Sequence, residues 1–368
     1  MINATGGLGN SVSASFDGTS TFTNNASVNN FGSMSFGGTI TNTNSFTNSG
    51  TGTFYTSTGG LNNSGTFTNN STSGGAIVIN GASTNSGTIN HTAGAFITGS
   101  TLDNTGTLNI DDAATMTILG GVTSSGTINL DGTLVADVIS TGFFNVDRVG
   151  TYQAATAVLD GNLTADVNGI SLSLEQDEPA PATNGYDDTL QVTGDLSTSR
   201  IAMDIYEDSG TQSAASDTVT VDGAFVPQAI GTTELSFEVD PTSDTNVNLL
   251  EVLVIDSTSG TLDPTDFSFA SQNITRFDED ELGGAIIVYS LSNGTGNTAG
   301  IGTEDLVLRS QLNPAIAAIA GQISTEVTLP PKSRAKRRNA QYDTQPLDPQ
   351  VAAGLGSVPG AHCWPRIQ

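Results

Sequence analysis

Cysteine is almost missing from this chain: Cys363 stands alone among 368 residues. One thiol cannot close an internal bridge, so no disulfide framework holds the fold. The scarcity also suits an export route that disfavours cross-linking before translocation. Positive charge is nearly as rare, with 10 Lys and Arg against 37 Asp and Glu and a net charge of −27. Such an acidic body repels phosphate backbones, which excludes nucleic acid as a partner. The two histidines, His91 and His362, are too few for a zinc site. No run of 18 apolar residues exists, so no transmembrane helix is expected. The opening MINATGGLGN has neither a basic segment nor an apolar one, so it does not read as a secretory signal. With repeat-like composition already at residue 1, the expectation is that the chain starts inside a longer protein.

The charge that is present is unevenly placed. Asp17 is the only Asp, Glu, Lys or Arg in the first 102 residues, whereas residues 103–324 hold 33 acidic side chains and four arginines. Lys332, Arg334, Lys336, Arg337 and Arg338 crowd into PPKSRAKRR. Hydrophobic residues make up 36% of the chain, and Gly numbers 43. That composition alone would permit disorder. What argues against it is phase.

A short phrase recurs: NSGTFT at Gly65, NSGTIN at Gly87, NTGTLN at Gly106, SSGTIN at Gly126, and more loosely STGFFN at Gly142. The glycines are 22, 19, 20 and 16 residues apart. Self-similarity at about 20 residues is the signature of a solenoid. Two residues past each Gly stand Phe67, Ile89, Leu108, Ile128 and Phe144, all apolar. Next come Thr68, Asn90, Asn109, Asn129 and Asn145, all polar. Such alternation is a strand with one face buried. A second apolar patch follows in most coils, at Ile77-Val78-Ile79, Phe96-Ile97, Met116 with Ile118, and Leu134-Val135. Each coil therefore holds at least two short strands separated by Gly/Ser/Asn turns. Stacking them sets each strand beside its copy about 4.8 Å away in parallel register, and the apolar column becomes a continuous core. The Asn column reads as a hydrogen-bonded ladder or as a repeated turn position, facing inward or outward.

After about residue 150 a different phrase takes over. DDTLQVTGDL and SDTVTVDGAF set Asp188 and Asp217 29 residues apart. LSTSRIAMDIYEDSG, TELSFEVD, LLEVLVID, FSFAS and AIIVYSLS also read as strands, and EQDEPAPATNG (Glu175 to Gly185) reads as an exposed loop. Within residues 303–324, Thr303-Glu304-Asp305 offers a helix start, followed by Leu306, Ile316, Ile319 and Ile323 among alanines. From Thr325 the composition is Pro-rich, then basic, and predicts disorder.

In this order the segments resemble the passenger of a bacterial type V autotransporter. The NSGTI-type coils are similar to those of right-handed parallel β-helix passengers. DDTLQVTGDL, SDTVTVDGAF and LLEVLVIDSTSGTLDPTDFSF are similar to the pertactin-like C-terminal passenger segment. VLRSQLNPAIAAIAGQI is similar to the linker helix that threads the translocator barrel. The resemblance covers about residues 60–324. It implies an all-β, right-handed parallel β-helix with a short C-terminal linker helix and a disordered tail. The organisation expected is regular coils over 1–150, an irregular pertactin-like segment over 151–302, the linker helix over 303–324, and the tail over 325–368. It further implies a cell-surface or extracellular location, associated with the outer membrane. Translocator β-barrel strands should follow the linker. SRAKRRNAQYDTQPLDPQVAAGLGSVPGAHCWPRIQ carries none, so the expectation is a truncated, frame-shifted or fragmentary chain.

Catalytic chemistry finds little to stand on. Elimination from uronates needs a base, often Arg or Lys, and neither precedes Arg148. Hydrolysis needs paired carboxylates, for which Asp111-Asp112 with Asp131 is the best cluster; turn-capping is the competing role. EDSGT (Glu207 to Thr211) only echoes a serine-protease motif. His91 reads as a lone exposed polar residue of the repeat. Asp187-Asp188 and Asp278-Glu279-Asp280-Glu281 are rich in calcium-type oxygen ligands but form no known loop motif. No catalytic, metal or cofactor residues are assigned. The reading is a non-enzymatic stalk or adhesin that meets a glycan or extracellular-matrix ligand through its Thr/Asn/Ser-rich faces. The alternative is a polysaccharide-active β-helix hydrolase or lyase. A third role makes residues 151–300 a folding aid for the coils before them.

Overall fold

The strands are short because each coil turns three times. In one turn of the computed structural model, Leu61–Asn63, Thr66–Ser71 and Ala76–Ile79 follow one another, and Ser83–Asn85 opens the next turn above Leu61–Asn63. Described are residues 2–4, 6–10, 13–16, 21–72, 74–146, 156–172, 188–208, 213–227, 231–239, 251–269, 287–296 and 300–312. All lie in one compact unit, Met1–Ile316. Among the described residues the strands form three sheets, of 10, 13 and 13 strands, and each sheet takes every third strand in chain order until the C-terminal turns. From turn to turn the strands pair in parallel until the C-terminal end, Ser213–Ser216 adding an antiparallel strand beside Arg200–Asp208, and the fold is a right-handed parallel β-helix.

Register explains the repeat. Phe46, Phe67, Ile89, Leu108, Ile128, Phe144, Ile170, Ile201 and Leu235 lie one above another in the second sheet, all buried. In the third sheet Met34, Phe54, Ile77, Phe96, Met116, Leu134, Leu159, Val192 and Val221 form the matching file. Like stacks on like: the rings of Phe46 and Phe67 lie parallel, 4.7 Å apart. The first sheet adds a third wall through Ile40, Leu61, Leu102, Val122 and Val138. Its strands are only three residues long and overlap the opening Asn of each recurring phrase, which is why they read as turn from sequence.

The repeat glycines are required by stacking. A Cβ on Gly87 would overlap the carbonyl oxygen of Gly65. The same holds for Gly106 over Gly87, Gly126 over Gly106 and Gly142 over Gly126. None of these has a left-handed backbone, so it is the close approach of successive turns that excludes a side chain there.

The C-terminal end departs from expectation. The sequence suggests a linker helix over 303–324, but Leu306–Leu312 is a strand, antiparallel to both Glu251–Ser257 and Ile287–Asn293. Asp305 does not cap a helix. Its carboxylate accepts from the backbone N–H of Ser257 at 3.1 Å and of Gly302 at 2.6 Å. Leu306, Val307 and Leu308 are all buried, which a strand covering the last turn achieves. Residues 313–324 of that expected helix, the tail 325–368 and the loop Glu175 to Gly185 lie outside the described residues.

Candidate functional site

Among the described residues asparagine stacks in three separate files, one of which is the column that follows the apolar position of the repeat. That one, Asn90, Asn109, Asn129 and Asn145, faces outward from the second sheet and is half-buried. The Nδ2 of Asn109 donates to Oδ1 of Asn90 at 2.7 Å, Asn129 to Asn109 at 2.7 Å, and Asn145 to Asn129 at 2.8 Å. The column is thus an outward ladder.

The other two ladders are buried. At the end of the first-sheet strands, Asn24, Asn42, Asn63, Asn85 and Asn104 pass amide hydrogen bonds from turn to turn at 2.7 Å, ending on the hydroxyl of Ser124 at 3.0 Å. Each also donates to a backbone carbonyl of the next turn, such as Asn85 to Thr107 at 2.9 Å. Both amide hydrogens are therefore used, which is what burial demands. At the junction of the second and third sheets, Asn10, Asn30, Asn48 and Asn69 repeat the arrangement. In sequence the first of these files is the Asn that opens each NSGT phrase. Its regular spacing was the available signal, but an Asn beside Ser-Gly reads as turn.

His91 completes the second buried ladder. It is not the exposed residue the sequence suggests: its relative exposure is 0%. Register places it directly over Asn69, whose Nδ2 lies 3.3 Å from the His91 Nδ1, and its Nε2 lies 2.9 Å from the Thr115 carbonyl oxygen. Only the neutral ring with hydrogen on Nε2 satisfies both contacts. Burial pushes the His91 pKa below the usual histidine value, against the raising effect of its bonds to Thr115 and Asn69. The ring packs edge-on to Phe96, 5.6 Å between centroids.

Carboxylates gather elsewhere. Asp111, Asp112 and Asp131 lie where the second sheet turns into the third; the first two are exposed and Asp131 is buried. The Asp131 N–H donates to the Ile110 carbonyl and the Asp111 N–H to that of His91, so both extend the parallel ladder into the turn. A more enclosed group forms near the C-terminal end. Thr189–Val192 and Thr218–Val221 pair in parallel, which sets Asp188 and Asp217 in equivalent positions, as their matching phrases imply. The Asp217 carboxylate accepts from the N–H of Asp188 at 3.2 Å and of Asp204 at 2.7 Å. All three are buried, and Asp217 is wholly so. Burial first, then the nearby Asp204 and Asp188 charges, holds the Asp217 carboxyl well above the ordinary carboxylate range.

Among the described residues no group of three or more His, Cys, Asp or Glu is arranged to hold a metal ion. Asp187, Asp278 to Glu281 and the PPKSRAKRR run lie outside those residues, as does the Ser-Gly-Thr part of EDSGT. Among the described residues no helix is long and apolar enough to cross a membrane. No family model matches the chain, and no curated protein matches it.

Proposed function

We propose that this chain is a non-enzymatic passenger segment of a type V autotransporter, a stalk and adhesin displayed at the bacterial cell surface. The supporting observation is the continuous parallel stack whose outward files repeat Thr and Asn turn after turn. A solenoid of this kind extends by adding turns and offers a long flank of similar contacts, each weak and jointly adhesive. On this reading a translocator β-barrel is the partner that brings the passenger through the outer membrane, and the ligand is a glycan or matrix component. The net negative charge, concentrated beyond residue 102, keeps a protein with many strands soluble outside the cell. The test is binding of the purified full chain to arrays of glycans and matrix proteins. Retention on such an array without turnover of any glycan is the expected result. Cleavage of a polysaccharide by the chain would replace this reading with an enzymatic one.

A further inference from the structure

The outward side of the second sheet carries two neighbouring files. Ser45, Thr66, Thr88, Thr107, Thr127 and Phe143 form one; Thr47, Thr68, Asn90, Asn109, Asn129 and Asn145 form the other. Five steps of about 4.8 Å make a face about 24 Å long. Neither file contains an ionisable group.

The hydrogen-bonding state of this face differs from that of the buried ladders. Each buried Asn engages a side chain and a carbonyl, whereas Asn109, Asn129 and Asn145 donate one amide hydrogen along the file. Their second hydrogen is directed to neither an Asn nor a carbonyl among the described residues. The hydroxyls of Thr66, Thr88, Thr107 and Thr127 likewise make no hydrogen bond among the described residues. The four turns from Thr66 to Thr127 therefore each offer solvent a hydroxyl, and the turns from Asn109 onward offer an amide N–H as well. At the C-terminal end of the hydroxyl file, register puts Phe143 directly beside Thr127, with 56% of its surface exposed.

We infer that this face is a docking surface for a neutral, linear glycan lying along the helix axis. The inference rests on the adhesin reading above and specifies its ligand. A sugar chain has what each part of the face lacks: hydroxyls to pair with Thr and Asn, and an apolar ring face to cover an exposed aromatic. A sulfated or phosphorylated polymer finds no cation on these files, and an apolar peptide would leave the hydroxyls and amides unpaired. Repetition at each turn lets contacts of small individual strength act together along one chain.

The full chain is titrated calorimetrically with cellohexaose, laminarihexaose and mannohexaose, and in separate arms with a heparin hexasaccharide and with collagen and fibronectin. Two second-sheet variants, Phe143→Ala and the double variant Thr88→Val/Thr107→Val, are compared with Thr41→Val/Thr123→Val on the outer side of the first sheet. All are surface changes, and circular dichroism verifies that each folds. The expected result is binding of at least one neutral hexasaccharide, weakened on the order of tenfold by each second-sheet variant and unchanged by the first-sheet one. Neutral-glycan binding that ignores the second-sheet variants overturns this face as the site but leaves the adhesin reading. Binding confined to heparin or to the matrix proteins overturns the neutral-glycan assignment and also leaves that reading. No binding in any arm removes both.

Discussion

At the scale of single residues, two buried ionisable groups respond to pH in opposite directions. His91 must be neutral to accept from Asn69 while donating to Thr115. Its folded pKa is depressed, so its contribution is complete above the unfolded value of about 6.5 and is lost as pH falls below that. His91→Asn should extend the asparagine ladder by one step and remove this acid sensitivity, measured as the urea midpoint between pH 7 and pH 5. An unchanged slope would mean that the ring is not the sensitive group. Asp217 behaves in reverse. Its folded pKa is raised, so stability is complete below the unfolded value of about 3.9 and declines as pH rises toward the folded value. Asp204→Asn removes the nearer charge and should flatten that decline; the urea midpoint followed upward from pH 4 in the His91→Asn background isolates the effect. Neither group was legible from sequence as buried. His91 sits in the repeat with nothing nearby in the chain to mark it, and only the turn before it supplies the Asn that explains it.

At the scale of strands and turns, stacking is governed by backbone contact and by side-chain amides. Gly106→Ala puts a methyl into the Gly87 carbonyl and should cost about 1–3 kcal/mol or prevent folding, read from the denaturation midpoint. Because Gly106 is not left-handed, substitution by Asn or Asp should be no better tolerated than Ala. Asn85→Leu leaves Asn104 Oδ1 without its donor and the Thr107 carbonyl without its second partner, at about 2–4 kcal/mol. Asn109→Leu, on the outward ladder, should cost less than about 1 kcal/mol because water replaces the lost bonds. Equal losses at Asn85 and Asn109 would contradict the distinction between buried and outward ladders. The apolar file from Phe67 to Ile128 was readable from its period alone. The helix expected from Thr303 was not borne out over its described part. Thr-Glu-Asp before an apolar run is a helix-start pattern, yet the chain there is a strand of the third sheet between Glu251–Ser257 and Ile287–Asn293, both distant in the chain.

For the whole described unit, the controlling property is that each turn rests chiefly on its neighbours. Removal of Thr105–Ser124 joins Asn104 to Ser125, so that Asn104 takes the place of Ser124, its register partner one turn on, and brings the Thr133 strand to the place of the Thr115 strand over His91. The shortened chain should keep its β-sheet circular dichroism and unfold cooperatively, whereas a deletion of half that length should not fold, since it would set strand residues in the places of turns and of the stacking glycines. The sequence alone determined the period, the apolar file, the recurring glycines and the acidic asymmetry, because each follows from local spacing or from counting. Which asparagines are buried, where His91 and Asp217 lie, and which hydroxyls and amides remain available to a ligand were decided by the tertiary structure. The reason is physical. Those properties depend on what stands one turn away, 16 to 33 residues along the chain, and turns of unequal length align only when their strands pair.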